Sequence, residues 1–252
     1  MFALYEDSDK HDKNSIKNFF DILKLNVFII ILPFLLFSLY LYIIKPIMKK
    51  AIDVFGEWAK KGKDVGMEKT HATPVNEMID FVLQERANLG KNFSFLDLGC
   101  GNGWVVRDVA KNKLCNRAVG IDGAEQMIAN AESRGGNTKY ILADINSFDS
   151  NDKYDVIHSM EVLYYLDDPS EIIKKISDSW LNNNGRLIVG VDHYYENTDS
   201  HSWQEKVGTR MLMLRESEWI NIFEMAGLNE VQSWRSGKDK DWAGTLVITG
   251  KK

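Results

Sequence analysis

Phe93-Ser94-Phe95-Leu96-Asp97-Leu98-Gly99-Cys100-Gly101-Asn102-Gly103 passes from an apolar, strand-like run through one carboxylate into a glycine-rich turn. A buried strand that ends in an acid and opens onto glycines is the signature of a nucleotide cradle. Glycine is needed where the backbone turns tightly and approaches a ligand with no Cβ in the way. A helix starting just after the turn aims its free N–H groups at the same place. The register narrows the ligand. Dinucleotide sites want G-x-G-x-x-G/A, the third small residue letting the helix lie close to the strand. Here the glycines fall at 99, 101 and 103, and the position that should be small is Trp104. An indole there holds the helix off the sheet, which weakens the nicotinamide reading on steric grounds.

Leu96 to Gly103 instead resembles the first motif of class I S-adenosylmethionine (SAM) methyltransferases, and further segments resemble that family in the same order. Arg117-Ala118-Val119-Gly120-Ile121 reads as a second strand ending at Asp122. The resemblance implies that Asp122 accepts hydrogen bonds from the ribose hydroxyls, with Gly123 and Met127 beside it. Tyr140-Ile141-Leu142-Ala143-Asp144 reads as a third strand, and the resemblance sets Asp144, with Ile145, at the adenine. Tyr154 to Glu161 resembles the fourth strand, whose end, with Ser159 and Glu161, lies beside the reacting methyl. Asn184 to Gly190 resembles the turn and fifth strand. The implied cofactor set is completed by Asp97, Gly99, Gly101 and Gly103 on the first loop. Other readings stand beside these: an acid after a strand is a common helix cap, Cys100 suits simple packing, and Met127 suits a core.

The implied fold is α/β, a doubly wound, mostly parallel, seven-stranded Rossmann-like sheet with an antiparallel last strand. Helices after the glycine loop, after Gly123 and after Pro169 alternate with the strands, as a βα repeat requires. Ahead of the first strand, Gly66 to Pro74 reads as a loop, with Thr73 capping a helix that starts at Pro74. Val75, Met78, Ile79, Val82 and Leu83 then recur at helical spacing. In the resembling family this helix covers the cofactor, which brings His71 towards the site; a surface or capping histidine is the competing reading. After the fifth strand, 192–215 is a long aromatic connection holding His193, Tyr194, Tyr195, His201 and Trp203. Loops of this length in compact domains are usually functional. His193 and Tyr194, which directly follow the strand end, are the candidate proton acceptors, and the segment is the expected acceptor pocket.

The run 25–44, Leu25 to Ile44, carries no charge over 20 residues. As a helix it extends roughly 30 Å, the thickness of a bilayer's hydrocarbon core. Lys24 bounds one end, and Lys45, Lys49 and Lys50 the other, while Tyr40 and Tyr42 suit the headgroup level. Pro33 leaves a kinked, membrane-dipping hairpin or a buried bundle helix as alternatives. The chain therefore divides into a polar tail (1–24), a transmembrane helix (25–44), a basic helical connector (45–64) and a methyltransferase domain (65–252). Six lysines in 45–64 against four in 10–24 favour a cytoplasmic C-terminal side. The expected location is a single-pass membrane protein whose catalytic domain faces the cytosolic SAM pool.

Two cysteines among 252 residues offer no disulfide framework. The net charge of −5 arises after residue 64, where 21 basic residues face 28 acidic ones. Such a domain repels phosphate backbones, which argues against nucleic acid as partner. The fourth segment, His158-Ser159-Met160-Glu161, lacks the Asn/Asp-Pro-Pro-aromatic turn of enzymes that methylate DNA bases or protein glutamine. It resembles the small-molecule branch. A membrane segment further favours a lipid-like acceptor. A SAM-binding scaffold without catalysis and an NAD-dependent oxidoreductase remain as alternatives.

Overall fold

Every residue of the first strand is buried, so β1 (Phe93–Leu98) must be the middle of a sheet covered on both faces. The structure, a computed structural model, describes residues 48–252. The predicted span 25–44 lies outside the described residues, and among those described no helix is long and apolar enough to cross a membrane. Seven strands form one sheet in the order β3-β2-β1-β4-β5-β7-β6. They are β2 (Cys115–Asp122), β3 (Lys139–Leu142), β4 (Tyr154–Met160), β5 (Leu181–Val191), β6 (Asn229–Ser236) and β7 (Thr245–Lys251). β1 to β5 pair in parallel, and β7 runs antiparallel to both its neighbours.

Side chains alternate across β1 and sort the core into two layers. Phe93 and Phe95 pack with Val75, Met78 and Val82 of α2 (Asp64–Leu89) and with Val105, Val106 and Val109 of α3 (Trp104–Val109). Leu96 and Leu98 share the opposite cluster with Ile172 and Ile173 of α5 (Pro169–Lys175) and with Trp219 and Phe223 of α7 (Glu216–Met225). Each such side chain contributes about 1.5–3 kcal/mol through burial. α4 (Glu125–Ser133) follows β2, and α6 (Trp203–Val207) lies in the long connection after β5.

One N-terminal boundary differs from the sequence reading. α2 begins at Asp64 and carries Pro74 inside it, where a loop and a proline-capped start were expected. Proline forfeits one backbone bond, but tertiary contacts hold the extra turns. The Asp64 carboxylate accepts from Asn102 Nδ2 at 3.1 Å and from Arg134 Nη2 at 2.7 Å. The stretch 45–64 contains α1 (Ala51–Lys60), which packs on α4: Phe55 and Ala59 meet Ala124 and Met127. A Cβ on Gly123 would lie 2.5 Å from Ile52 Cγ2, which gives the physical reason for glycine there.

Candidate active site

Because β1 to β5 run parallel, their C-terminal ends share one edge, and the chain places its acids along it. The turn after β1 leaves the right-handed region at Gly99 (φ 72°) and Gly101 (φ 52°). A Cβ on Gly99 would sit 2.2 Å from Val162 Cγ2, so the segment after β4 presses directly on the loop. Gly101 is different: a Cβ there meets only Met127 Sδ, at 3.9 Å, and so enters open space. The loop is lashed to β2 by Gly99 N–H and Cys100 N–H, which donate to Ile121 O at 2.8 and 2.9 Å. α3 spans only six residues, and the first of its N–H groups, on Trp104, is taken by Asn102 Oδ1 at 3.2 Å.

Asp122 ends β2 and organises both flanks of the loop. Its Oδ2 accepts from Gly101 N–H at 2.9 Å, and its Oδ1 from Ala124 N–H at 2.8 Å. Burial pushes its carboxyl up to about 6; the two backbone bonds oppose the rise, and Asp97 adds to it. A carboxylate has about four acceptor positions, so two remain for a ligand. Asp144 uses one oxygen to bind Asn146 N–H and Nδ2, both at 2.9 Å, in a local turn. Asp97 faces His158 across the β1–β4 pairing, with His158 Nδ1 and Asp97 Oδ1 2.7 Å apart and both side chains buried. An interior carboxylate without a partner is costly, and His158 is that partner. Nε2 of the same ring is buried with no partner.

These elements enclose a cavity of about 760 Å³. Of the predicted cofactor residues, Asp97, Gly99, Gly101, Asp122, Gly123, Met127, Asp144, Ile145 and Glu161 line it. Gly103 and Ser159 do not. Gly103, at φ 75°, caps α3 and lies against the Tyr140 ring. Ser159 is fully buried on the opposite face of β4 from His158, and its hydroxyl donates to Leu98 O at 3.0 Å. Cys100 lines the cavity, but burial raises its thiol well above the usual range, which keeps it a packing group.

The two candidate proton acceptors are not at the cavity. Tyr194 is fully buried, and its hydroxyl donates to Gly244 O at 2.7 Å and Ala243 O at 3.2 Å. Burial, the largest influence, pushes that phenol up to about 12. His193 is turned inward, with Nδ1 3.1 Å from Ser200 O and its ring stacked near Trp203. His193 Nδ1 and Tyr194 OH are turned to these backbone carbonyls, and of the 192–215 segment only Thr209 and Arg210 reach the cavity wall. The side chains gathered instead at the β4 and β5 ends are His71, Glu161 and Asp192, whose ligating atoms all lie within 4.8 Å of one another. His71 was singled out in the sequence. Asp192 was passed over for the two residues after it, although an acid at a strand end was the available signal.

Glu161 has φ 60°, a strained value for a residue with a Cβ. It is held there by its own N–H, which donates to Gly190 O at 2.9 Å, and by two side-chain bonds. Tyr164 OH donates to Oε2 at 2.6 Å, and Asp192 N–H donates to Oε1. Burial raises the Glu161 carboxyl well above its ordinary value, with Asp192 adding repulsion. Burial also raises Asp192, against a 2.6 Å bond from the Thr245 hydroxyl and the nearby His71. His71 Nε2 lies 4.0 Å from Asp192 Oδ2, and burial lowers its pKa.

A sheet of this order, with acids at the strand ends around one glycine loop, defines the Rossmann-like methyltransferase fold. Residues 49–233 match the methyltransferase domain family, and the chain belongs to that family. It is 35% identical over 117 residues to the malonyl-[acyl-carrier protein] O-methyltransferase of Halalkalibacterium halodurans, covering 42% of this chain and 43% of that one. It is 31% identical over 137 residues to the (S)-coclaurine N-methyltransferase of Papaver somniferum, covering 50% and 38%. Each match thus spans less than half of the curated relative. Among solved structures, a chain from the complex of the Haloferax volcanii Trm112 methyltransferase activator with a methyltransferase superposes with TM-score 0.64 at 26% identity, covering 78% of this chain and 96% of that one. The magnesium protoporphyrin IX methyltransferase of Synechocystis, with bound S-adenosylhomocysteine, shares the fold at TM-score 0.56 and 18% identity, covering 75% and 84%.

Proposed function

We propose that this protein is a SAM-dependent methyltransferase that transfers the methyl group to a small or lipid-like acceptor at a membrane surface. The observation that carries the reading is the pairing of Gly101 with Asp122: a glycine whose Cβ would enter the cavity, bonded to a carboxylate with acceptor positions to spare. The residues present fit the cofactor. Asp122 suits ribose hydroxyls, Met127 and Ile145 supply apolar walls, and Asp144 suits an exocyclic amine. When bound, SAM supplies a methyl carbon already activated by a sulfonium. The protein's own work is to hold an acceptor in line with that carbon, exclude water and take up a proton where the acceptor arrives protonated. Glu161, His71 and Tyr165 line the cavity on the acceptor's side, with Asp192 behind them at the end of β5.

The acceptor class draws support from the relatives, whose names give malonyl-[acyl-carrier protein] and (S)-coclaurine as what they methylate. Membrane attachment draws on the uncharged run 25–44 and its flanking lysines, with the catalytic domain on the cytoplasmic side. Calorimetry on the full chain in detergent tests the cofactor: S-adenosylhomocysteine is expected to bind and NADH is not. Tight NADH binding, or none by S-adenosylhomocysteine, would overturn the reading. Release of the protein from membranes by alkaline carbonate would remove the membrane part alone.

A further inference from the structure

Two carboxyl groups meet near the acceptor end of the cavity with little to balance the charge they carry when ionised: Glu161 lines the cavity, and Asp192 lies behind it. Glu161 and Asp192 approach each other beside His71, and among the described residues no lysine or arginine forms an ion pair with either carboxylate. Asp192 is buried and Glu161 half-buried, a setting where unpaired charge is costly. Three of their four oxygens already accept a hydrogen bond from within the protein: Glu161 from Tyr164 and from Asp192 N–H, and Asp192 Oδ1 from Thr245. The fourth, Asp192 Oδ2, faces His71. Aromatic rings complete the wall. Tyr165 lies against Tyr164 at 4.4 Å between centroids and against the edge of Phe55 at 5.2 Å, and both Tyr165 and Phe55 line the cavity. Carboxylates backed by aromatic faces select an organic cation.

Position in the sheet gives this cluster its role. Asp122 follows β2 and Asp192 follows β5, three strand spacings or about 14 Å apart along one edge. Asp122 and the glycine loop would hold the cofactor at one part of this edge, and Glu161 would stand on the side where its methyl group is delivered. A metal ion fits less well than an ammonium group. A divalent ion wants a closed shell of about six oxygen ligands, which this partly engaged pair does not supply, whereas an ammonium group needs only the oxygens' remaining lone pairs.

We infer that the acceptor is an amine, captured as its ammonium ion between Glu161 and Asp192, with His71 taking its proton. This rests on the methyltransferase reading above and specifies its substrate. The ammonium gives one proton to the neutral His71 imidazole, which burial keeps in its free-base form. The freed nitrogen lone pair forms the new C–N bond. The breaking S–C bond leaves its electron pair on sulfur, giving the neutral thioether, and His71 passes its proton to solvent. The N-methylammonium product keeps the remaining positive charge. Glu161 and Asp192 bind and orient, and their charge stabilises the imidazolium that forms.

The test uses the full chain in detergent, labelled SAM, and a small-molecule extract in two portions, one with its amines acylated by N-hydroxysuccinimidyl acetate. Label is expected in the untreated portion and at least tenfold less in the acylated one. Binding of the labelled amine's unmethylated precursor to the S-adenosylhomocysteine-saturated protein, read by calorimetry, is expected to weaken at least tenfold in Glu161→Gln. His71→Asn is expected to lower kcat at least tenfold with KM and S-adenosylhomocysteine affinity retained. Equal labelling of both portions, or of neither by a protein that binds S-adenosylhomocysteine, would overturn the amine assignment and leave the methyltransferase reading intact. Loss of activity on chelation with EDTA would make the occupant a metal. Parallel loss of cofactor affinity in both variants would reduce the cluster to a structural role. Failure of the wild type to bind S-adenosylhomocysteine would remove the underlying reading instead.

Discussion

Lowering pH should loosen the cofactor before it loosens the fold, and Asp122 is the cause. Its carboxyl is held near 6, so the free protein keeps it ionised at pH 7.5 and mostly protonated at pH 5. Ribose hydroxyls donate to the ionised form; the protonated form loses acceptor capacity on the atoms that also serve Gly101 and Ala124. One unit below its pKa about nine tenths of the group is neutral, so affinity for S-adenosylhomocysteine should fall about tenfold between pH 7.5 and pH 5, or about 1.4 kcal/mol. Asp122→Asn should bind at least tenfold more weakly at pH 7.5, consistent with charge-assisted bonds of about 1.5–3 kcal/mol, and show little further change down to pH 5. The assay is calorimetric titration at half-unit steps, with thermal unfolding at each pH to confirm the folded state. A flat wild-type profile would refute the reasoning. A slope that survives in Asp122→Asn would reassign the effect to another group.

Three other measurements address the same architecture. Gly99→Ala should cost about 2–5 kcal/mol of stability, from left-handed backbone and collision with Val162, and Val162→Ala should restore part of it; Gly101→Ala, whose Cβ meets open space, should lose S-adenosylhomocysteine affinity with a stability cost of only about 1 kcal/mol. Tyr194→Phe should lower stability by about 1–2 kcal/mol, because the Gly244 carbonyl loses its donor, while cofactor affinity stays unchanged; lost turnover at unchanged melting temperature would return Tyr194 to the catalytic set. The Glu85 carboxylate grips Arg186 through two bonds of 2.9 and 2.8 Å. Burial opposes ionisation there, but Arg186 and then Arg86 outweigh it and hold Glu85 at about 2. A depressed carboxyl stabilises the fold above its unfolded value near 4.5 and loses that contribution as pH falls towards 2. Glu85→Gln should therefore cost about 2 kcal/mol at pH 7, a Tm drop of about 4–8 °C, with the gap to wild type closing below pH 4.5.

The glycine loop and the acids at the strand ends were legible from the chain alone because each is a local property. An apolar run such as Phe93–Leu98 states its own burial, and glycines at 99 and 101 state a backbone that residues with a Cβ resist. Acids such as Asp122 and Asp144 recur where a parallel sheet presents its ligand edge, whereas the order of the strands within the sheet departs from their order along the chain. What faces the cavity at its acceptor end was decided only in three dimensions. Asp192, His193 and Tyr194 are consecutive, and the sequence does not say which one the strand end brings beside Glu161 and His71. Contacts with Gly244, Ser200 and Thr245 from distant segments make that choice. His71 reaches Asp192 only because α2 extends ten residues ahead of Pro74, and it does so because Asn102 and Arg134 hold Asp64 against the proline's local preference. Local chemistry determined the cofactor cradle; the pairing of residues more than 100 positions apart, stabilised by burial and hydrogen bonds that no local window contains, decided the catalytic end.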